Sequence, residues 1–131
     1  MQKTLLILLF LSALVLSACQ ESLADRSVRE AREYTLKKCP AKLSESTVID
    51  SLVFDKKSLT MHYYFTISGR SDSAELIKEK VPREGLIKAI KNNTPLRKSK
   101  DAGFNFAFTY RSTKHPGKVL YTTVITPDDY Q

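Results

Sequence analysis

Residues that mark an enzyme or a metal protein are scarce in this chain, which has two cysteines, two histidines and four glycines in 131 residues. There is no HExxH pair to hold zinc, no CxxC, no glycine-rich loop to cradle a phosphate and no Gly-x-Ser-x-Gly turn to present a nucleophile. The positive charge comes without a zinc-knuckle spacing, a ribonucleoprotein motif or a continuous basic run, so nucleic acid is not an expected partner. A long hydrophobic run is lacking too. The one apolar stretch, Leu5 to Leu16, falls short of the roughly 20 residues a spanning helix needs. From these absences the sequence predicts no catalytic residue, no metal and no cofactor.

What is present begins with that short stretch. Lys3 precedes it as a weak positive region, and its length of about a dozen residues lies within the ~7–15 of a signal peptide. It ends in Leu16-Ser17-Ala18-Cys19, which resembles the lipobox of bacterial lipoproteins. The resemblance implies cleavage before Cys19, acylation of that cysteine and attachment to a lipid bilayer. Acyl chains, at about 0.8 kcal/mol per buried CH₂, would make such attachment effectively permanent. Inner-membrane retention in that family goes with Asp after the cysteine. Gln20 therefore favours the periplasmic face of an outer membrane, where the cell has two membranes. Ordinary signal-peptidase cleavage after Ala18 is the rival reading, and it would leave Cys19 free to pair with Cys39.

The formal net charge is +7. Loss of residues 1–18 removes one lysine and no acid, leaving 20 basic against 14 acidic residues, or +6. Such an excess suits a solvated basic surface near anionic headgroups, where each nearby Lys or Arg can add about 1 kcal/mol. With Cys19 acylated, Cys39 has no partner within the chain. A buried thiol, a disulfide to another molecule and a reactive group are its three possible fates. A reactive thiol would want a base, and nothing in the sequence sets His62 or His115 beside it.

Residues 19–26 read as the acylated cysteine and a short tether, and 27–131 as a single α+β domain. A helix is expected over Ser27 to Lys38, stopped by Pro40. Strands are expected over Thr47 to Phe54 and Ser58 to Ser68. The second alternates cleanly, with Leu59, Met61, Tyr63, Phe65 and Ile67 on one face and Thr60, His62, Tyr64, Thr66 and Ser68 on the other. Ser71 and Asp72 are offered as caps for a helix reaching Lys80, which Pro82 separates from a second helical piece, Arg83 to Asn92. Strands over Gly103 to Arg111 and Val119 to Thr126 follow, the inward face of the last being ambiguous. Asp128 and Asp129 read as solvated carboxylates. The expected fold is one four-stranded antiparallel sheet in the order αββαββ, with its helices on one face.

The mature part resembles a group of small exported bacterial proteins that share a helix ending in Cys39-Pro40, a segment reading Leu-Ile-Lys-Ala-Ile-Lys-Asn-Asn at Leu86 to Asn93, and a close reading Thr126-Pro127-Asp128-Asp129-Tyr130. The resemblance implies the fold and export, and it brings no substrate or catalytic residue. With no catalytic set, the expected role is a non-enzymatic envelope lipoprotein that binds another envelope protein as an inhibitor, accessory subunit or assembly factor. The expected partner surface is the wet sheet face carrying His62, Tyr64, Asn105 and Thr109, together with Lys88 and Lys91. A thiol-dependent enzyme or redox protein using Cys39 and a structural protein meeting lipid through its basic face are the alternatives.

Overall fold

The computed structural model describes residues 20–131. The lipobox and Cys19 lie outside the described residues. Among those described, no helix is long and apolar enough to cross a membrane.

Helix α1 spans Leu23–Lys38, starting four residues before the expected Ser27. Ser22 is its cap, with Oγ accepting from the Asp25 amide at 3.1 Å. That leaves Ser27 inside the helix, buried, where its hydroxyl donates to the Leu23 carbonyl at 2.8 Å. Asp25 in the first turn and Lys37 and Lys38 in the last complement the helix dipole. The small residues Ser27 and Ala31 form the buried strip, so α1 can lie close against the sheet.

A two-residue strand, β1 (Ala41–Lys42), follows the Cys39-Pro40 bond, and β2 (Thr47–Asp55) pairs antiparallel with β1 and with β3 (Thr60–Ile67). The chain then passes through α2 (Ala74–Lys80), α3 (Arg83–Asn92) and α4 (Arg97–Asp101) before β4 (Asn105–Ser112) and β5 (Val119–Ile125), and ends in α5 (Pro127–Tyr130). Strand order in the sheet is β1-β2-β3-β4-β5.

Two parts of the expected sheet need correction. It has five strands rather than four, and it is mixed: β3 and β4 run parallel, in register from Thr60↔Asn105 to Ile67↔Ser112. Each hairpin is antiparallel as expected, but the two hairpins meet through a crossover carrying α2 to α4, the kind of connection a parallel pair requires. The α+β class stands, as do the helices on one face. Ala31 of α1, Ile77 of α2 and Ile90 of α3 join a single core cluster with the sheet residues Ile49, Phe54, Phe65, Ile67, Phe106, Phe108 and Ile125.

Aromatic stacking tightens the parallel seam. Tyr63 lies on Phe108 with ring centroids 4.9 Å apart, and Phe65 lies on Tyr110 at 4.7 Å. Desolvation pushes both the Tyr63 and the Tyr110 hydroxyl up to about 12. Register also settles β5. Tyr121, Thr123 and Ile125 sit opposite Tyr110, Phe108 and Phe106 and face the core.

The caps differ from the sequence reading in an instructive way. Ser73, not Ser71 or Asp72, caps α2. Asp72 instead accepts from the amides of Thr113 and Lys114 at 3.1 and 2.9 Å, fastening the β4–β5 turn, where Gly117 takes a φ of 88°. Asp129 is not merely solvated. It closes a capping box with Thr126 and receives Arg83 at 2.8 Å.

Candidate functional site

The two faces of the sheet differ sharply. Helices cover the inner one. The outer one presents alternate residues of β2 to β5, and its central row runs Val53↔His62↔Ala107↔Val124 across all four strands. The next row runs Ser51↔Tyr64↔Thr109↔Thr122. The His62 and Tyr64 rings stack at 5.9 Å, and the Arg111 guanidinium sits 4.9 Å over the Tyr64 ring. Asp50, set off by a register irregularity in β2, accepts a hydrogen bond from the Thr66 hydroxyl. His62, Tyr64 and Thr109 therefore lie on the open face as the alternation of β3 and β4 required.

Asn105 behaves differently. Its side-chain amide donates to the Ser58 carbonyl at 3.1 Å, so it fastens the β2–β3 turn rather than offering itself to a partner. Lys88 and Lys91 sit on α3, in the helical layer on the far side of the sheet. The structure thus divides the expected surface: three of its residues share a face and the two lysines belong elsewhere. Two other basic residues of the helical layer are engaged within the fold. Lys100 Nζ donates to the carbonyls of Ile90 and Lys91 and so caps the C-terminal end of α3, while Arg83 is engaged by Asp129 and by the Val124 carbonyl.

One feature of the site has no clear counterpart in the sequence pattern. A groove of about 350 Å³ opens where α1 runs along β2, lined by Val28, Ala31, Arg32, Thr35, Leu36, Leu52, Val53 and Phe54. Its floor is built by Thr35, whose Oγ1 accepts the Leu52 amide at 2.9 Å and lies 2.9 Å from the carbonyl oxygens of Leu52 and Ala31. This hydroxyl satisfies the edge of β2 where β1 has already ended. On the walls, Leu36 is 77% exposed and Val53 49%, far above what large apolar side chains usually show. Arg32 is the only charged residue of the lining, and it makes no ion pair among the described residues. Val53 belongs to both surfaces, so the groove runs on into the open face through Val53, His62, Ala107 and Val124. The signal that could have found it is the spacing of Val28, Arg32 and Leu36, one stripe of α1 turned away from the Ser27–Ala31 strip.

Cys39 ends α1 as a partly buried free thiol. Burial pushes it above its ordinary value of 9.0, and the nearby Asp50 carboxylate adds to this. Both effects keep the sulfur protonated at neutral pH, the reverse of what a nucleophilic thiolate needs. Among the described residues, no group of three or more His, Cys, Asp or Glu side chains is placed to hold a metal ion.

Residues 22–121 match the family described as a domain of unknown function, DUF8479, and the chain belongs to it. No curated protein matches the chain. Among solved structures, it is similar to a Pseudomonas aeruginosa protein inferred to be secreted, with a TM-score of 0.66 and 14% identity over 86% of this chain and 100% of that one. It is also similar to the type II secretion system pilotin of Vibrio cholerae, with a TM-score of 0.56 and 13% identity over 82% and 91% of the two chains. The type II secretion system pilotin of Vibrio vulnificus gives 0.58 and 11% over 83% and 92%. At such identities the likeness is one of fold.

Proposed function

We propose that this protein is a non-enzymatic accessory module of the bacterial cell envelope, anchored to lipid through acylated Cys19, which holds an apolar segment of a partner protein in the α1–β2 groove. The observation that carries the reading is the groove itself: an apolar trough with one unpaired arginine on its wall, continuous with an open sheet face. Buried by a partner, a side chain such as Leu36 contributes about 1.5–3 kcal/mol, and Arg32 selects for a carboxylate beside the inserted residue. The fold shared with two pilotins of the type II secretion system supports an accessory or assembly role. The Pseudomonas neighbour agrees with export. The raised Cys39 thiol disfavours the enzyme alternative.

Affinity capture of the acylated chain from detergent-solubilised membranes tests the reading. Leu36→Asp and Val53→Asp should each abolish recovery of a partner held by the unaltered chain, while Lys88→Ala with Lys91→Ala should leave recovery unchanged. Equal recovery by all of these variants would mean that the groove is not the docking site.

A further inference from the structure

Positive charge is concentrated in one stretch of the helical layer. Residues 85–100 hold five basic residues, Lys88, Lys91, Arg97, Lys98 and Lys100, and no acidic one, with Glu84 and Asp101 bracketing them. The remainder of the chain from Cys19 onward holds 15 basic and 14 acidic residues, so this stretch supplies +5 of the net +6. Lys100 is used inside the fold, where its bonds to the Ile90 and Lys91 carbonyls draw α4 against the end of α3. Lys88, Lys91, Arg97 and Lys98 are exposed, and none makes an ion pair among the described residues. Lys88 and Lys91 are neighbours on one turn of α3, and the Lys100 contact sets α4 beside Lys91. The basic residues near the start of α1 are neutralised locally by contrast: Arg26 by Glu30, Arg29 by Glu21 and Glu33, and Lys56 by Asp25.

The patch adjoins the end of the domain from which the chain leaves for Cys19. Lys98, Asp101 and Ala102 line a shallow hollow together with Glu21, Leu23 and Arg26 at the start of α1. Four residue steps separate Leu23 from Cys19, at most about 14 Å of extended chain. A lipid anchor at Cys19 therefore brings α4 within reach of the headgroups. Of the anionic surfaces that suit these four side chains, the bilayer is the one the tether carries to them.

We infer that Lys88, Lys91, Arg97 and Lys98 form a headgroup-binding face, which lays the α3–α4 end of the helical layer on anionic phospholipid. Its placement rests on the proposed anchor at Cys19, while its chemistry is that of cationic side chains against headgroup phosphates.

Vesicle co-sedimentation tests this on the mature chain carrying Cys19→Ser. Without an acyl chain, binding reports the protein surface and stays separate from anchoring. Vesicles of equal parts phosphatidylglycerol and phosphatidylcholine should bind with a partition coefficient of order 10³ M⁻¹ at low salt, falling at least roughly tenfold at about 0.5 M salt. Vesicles of phosphatidylcholine alone should not bind. Arg97→Ser with Lys98→Ser should lower binding about thirtyfold, roughly fivefold for each charge, with an unchanged circular dichroism spectrum. Lys88→Ser with Lys91→Ser places the same loss on a second helix, with a like effect expected. Lys37→Ser with Lys38→Ser removes equal charge from exposed positions at the far end of α1. That end lies about 22 Å along the helix from Leu23, and the pair should change binding less than about twofold. None of these residues lines the groove, so the outcome is independent of docking there. No binding to the anionic vesicles, equal binding to phosphatidylcholine alone, or an equal loss from the Lys37 and Lys38 pair would overturn the inference. Binding to polyglutamate without binding to vesicles would overturn it too, and would assign the patch to an acidic protein.

Discussion

At the residue scale, several polar side chains hold the fold together and set its response to pH. Hydrogen bonds from the Ser112 hydroxyl and from the Lys114 and Thr113 amides hold the Asp72 carboxyl below its ordinary value of 3.8, and the Thr126 amide and Arg83 do the same for Asp129. A carboxylate lowered in the fold contributes stability that is complete above its unfolded value and is lost as pH falls through the folded one. Thermal melting should therefore weaken below about pH 4, with a shallower acid limb in Asp72→Asn and Asp129→Asn. Melts between pH 2 and 7 check this. Tyr63 and Tyr110 act in the opposite sense at the alkaline end: what they contribute is present below pH 10 and lost as pH rises towards about 12. Cys39, partly buried and protonated, should react with iodoacetamide slowly in the native protein at pH 7 and quickly after denaturation. Phe106, 1% exposed on the innermost strand face, is a simpler case, and Phe106→Ala should cost about 3–5 kcal/mol in a denaturant titration.

At the element scale, α1 does two jobs with different residues. Ser27 and Ala31 seat it on the sheet, while Val28, Arg32 and Leu36 form one wall of the groove. Thr35 ties the two together by satisfying the Leu52 backbone at the edge of β2. Thr35→Val keeps the shape and removes the hydroxyl, leaving those edge groups unmatched, and should destabilise by about 1–3 kcal/mol. Leu36→Asp touches only the exposed wall and should change stability by less than about 0.5 kcal/mol. Denaturant titrations of the two variants would separate structural from groove-wall residues on one helix.

The alternation of Met61, Tyr63, Phe65 and Ile67 with His62, Tyr64 and Thr66 was legible because a half-buried strand imposes a period of two. The start of α1 was less so. The sequence reading began the helix at Ser27 and left 19–26 as a tether, whereas Ser22 is the cap and packing against the sheet makes Ser27 an interior residue. β1, at two residues, is too short to have a period at all.

At the scale of the whole molecule, each hairpin could be read from the chain, but the relation between them could not. The same αββαββ order accommodates a parallel or an antiparallel join, and the choice belongs to the crossover through α2 to α4, whose destination no local pattern encodes. The site followed the same rule. His62, Tyr64 and Thr109 came from strand periodicity and sit together. Lys88 and Lys91 were grouped with them by charge alone and lie on the other side of the sheet. The groove needed two elements distant in sequence to meet. Anchoring belongs to this scale as well: mass spectrometry of the mature protein should find an N-terminus at an acylated Cys19, and a free or disulfide-bonded Cys19 would remove the lipid from the account.

Docking of a partner protein in the groove between α1 and β2 is open to a direct test. Photo-crosslinking in intact cells tests it most directly, with a photoreactive amino acid placed at Leu36, Val53 or Lys88 of the full chain. The same discrete adduct is expected from Leu36 and Val53, and none from Lys88. No adduct from either groove position, or one of equal yield from Lys88, would contradict it.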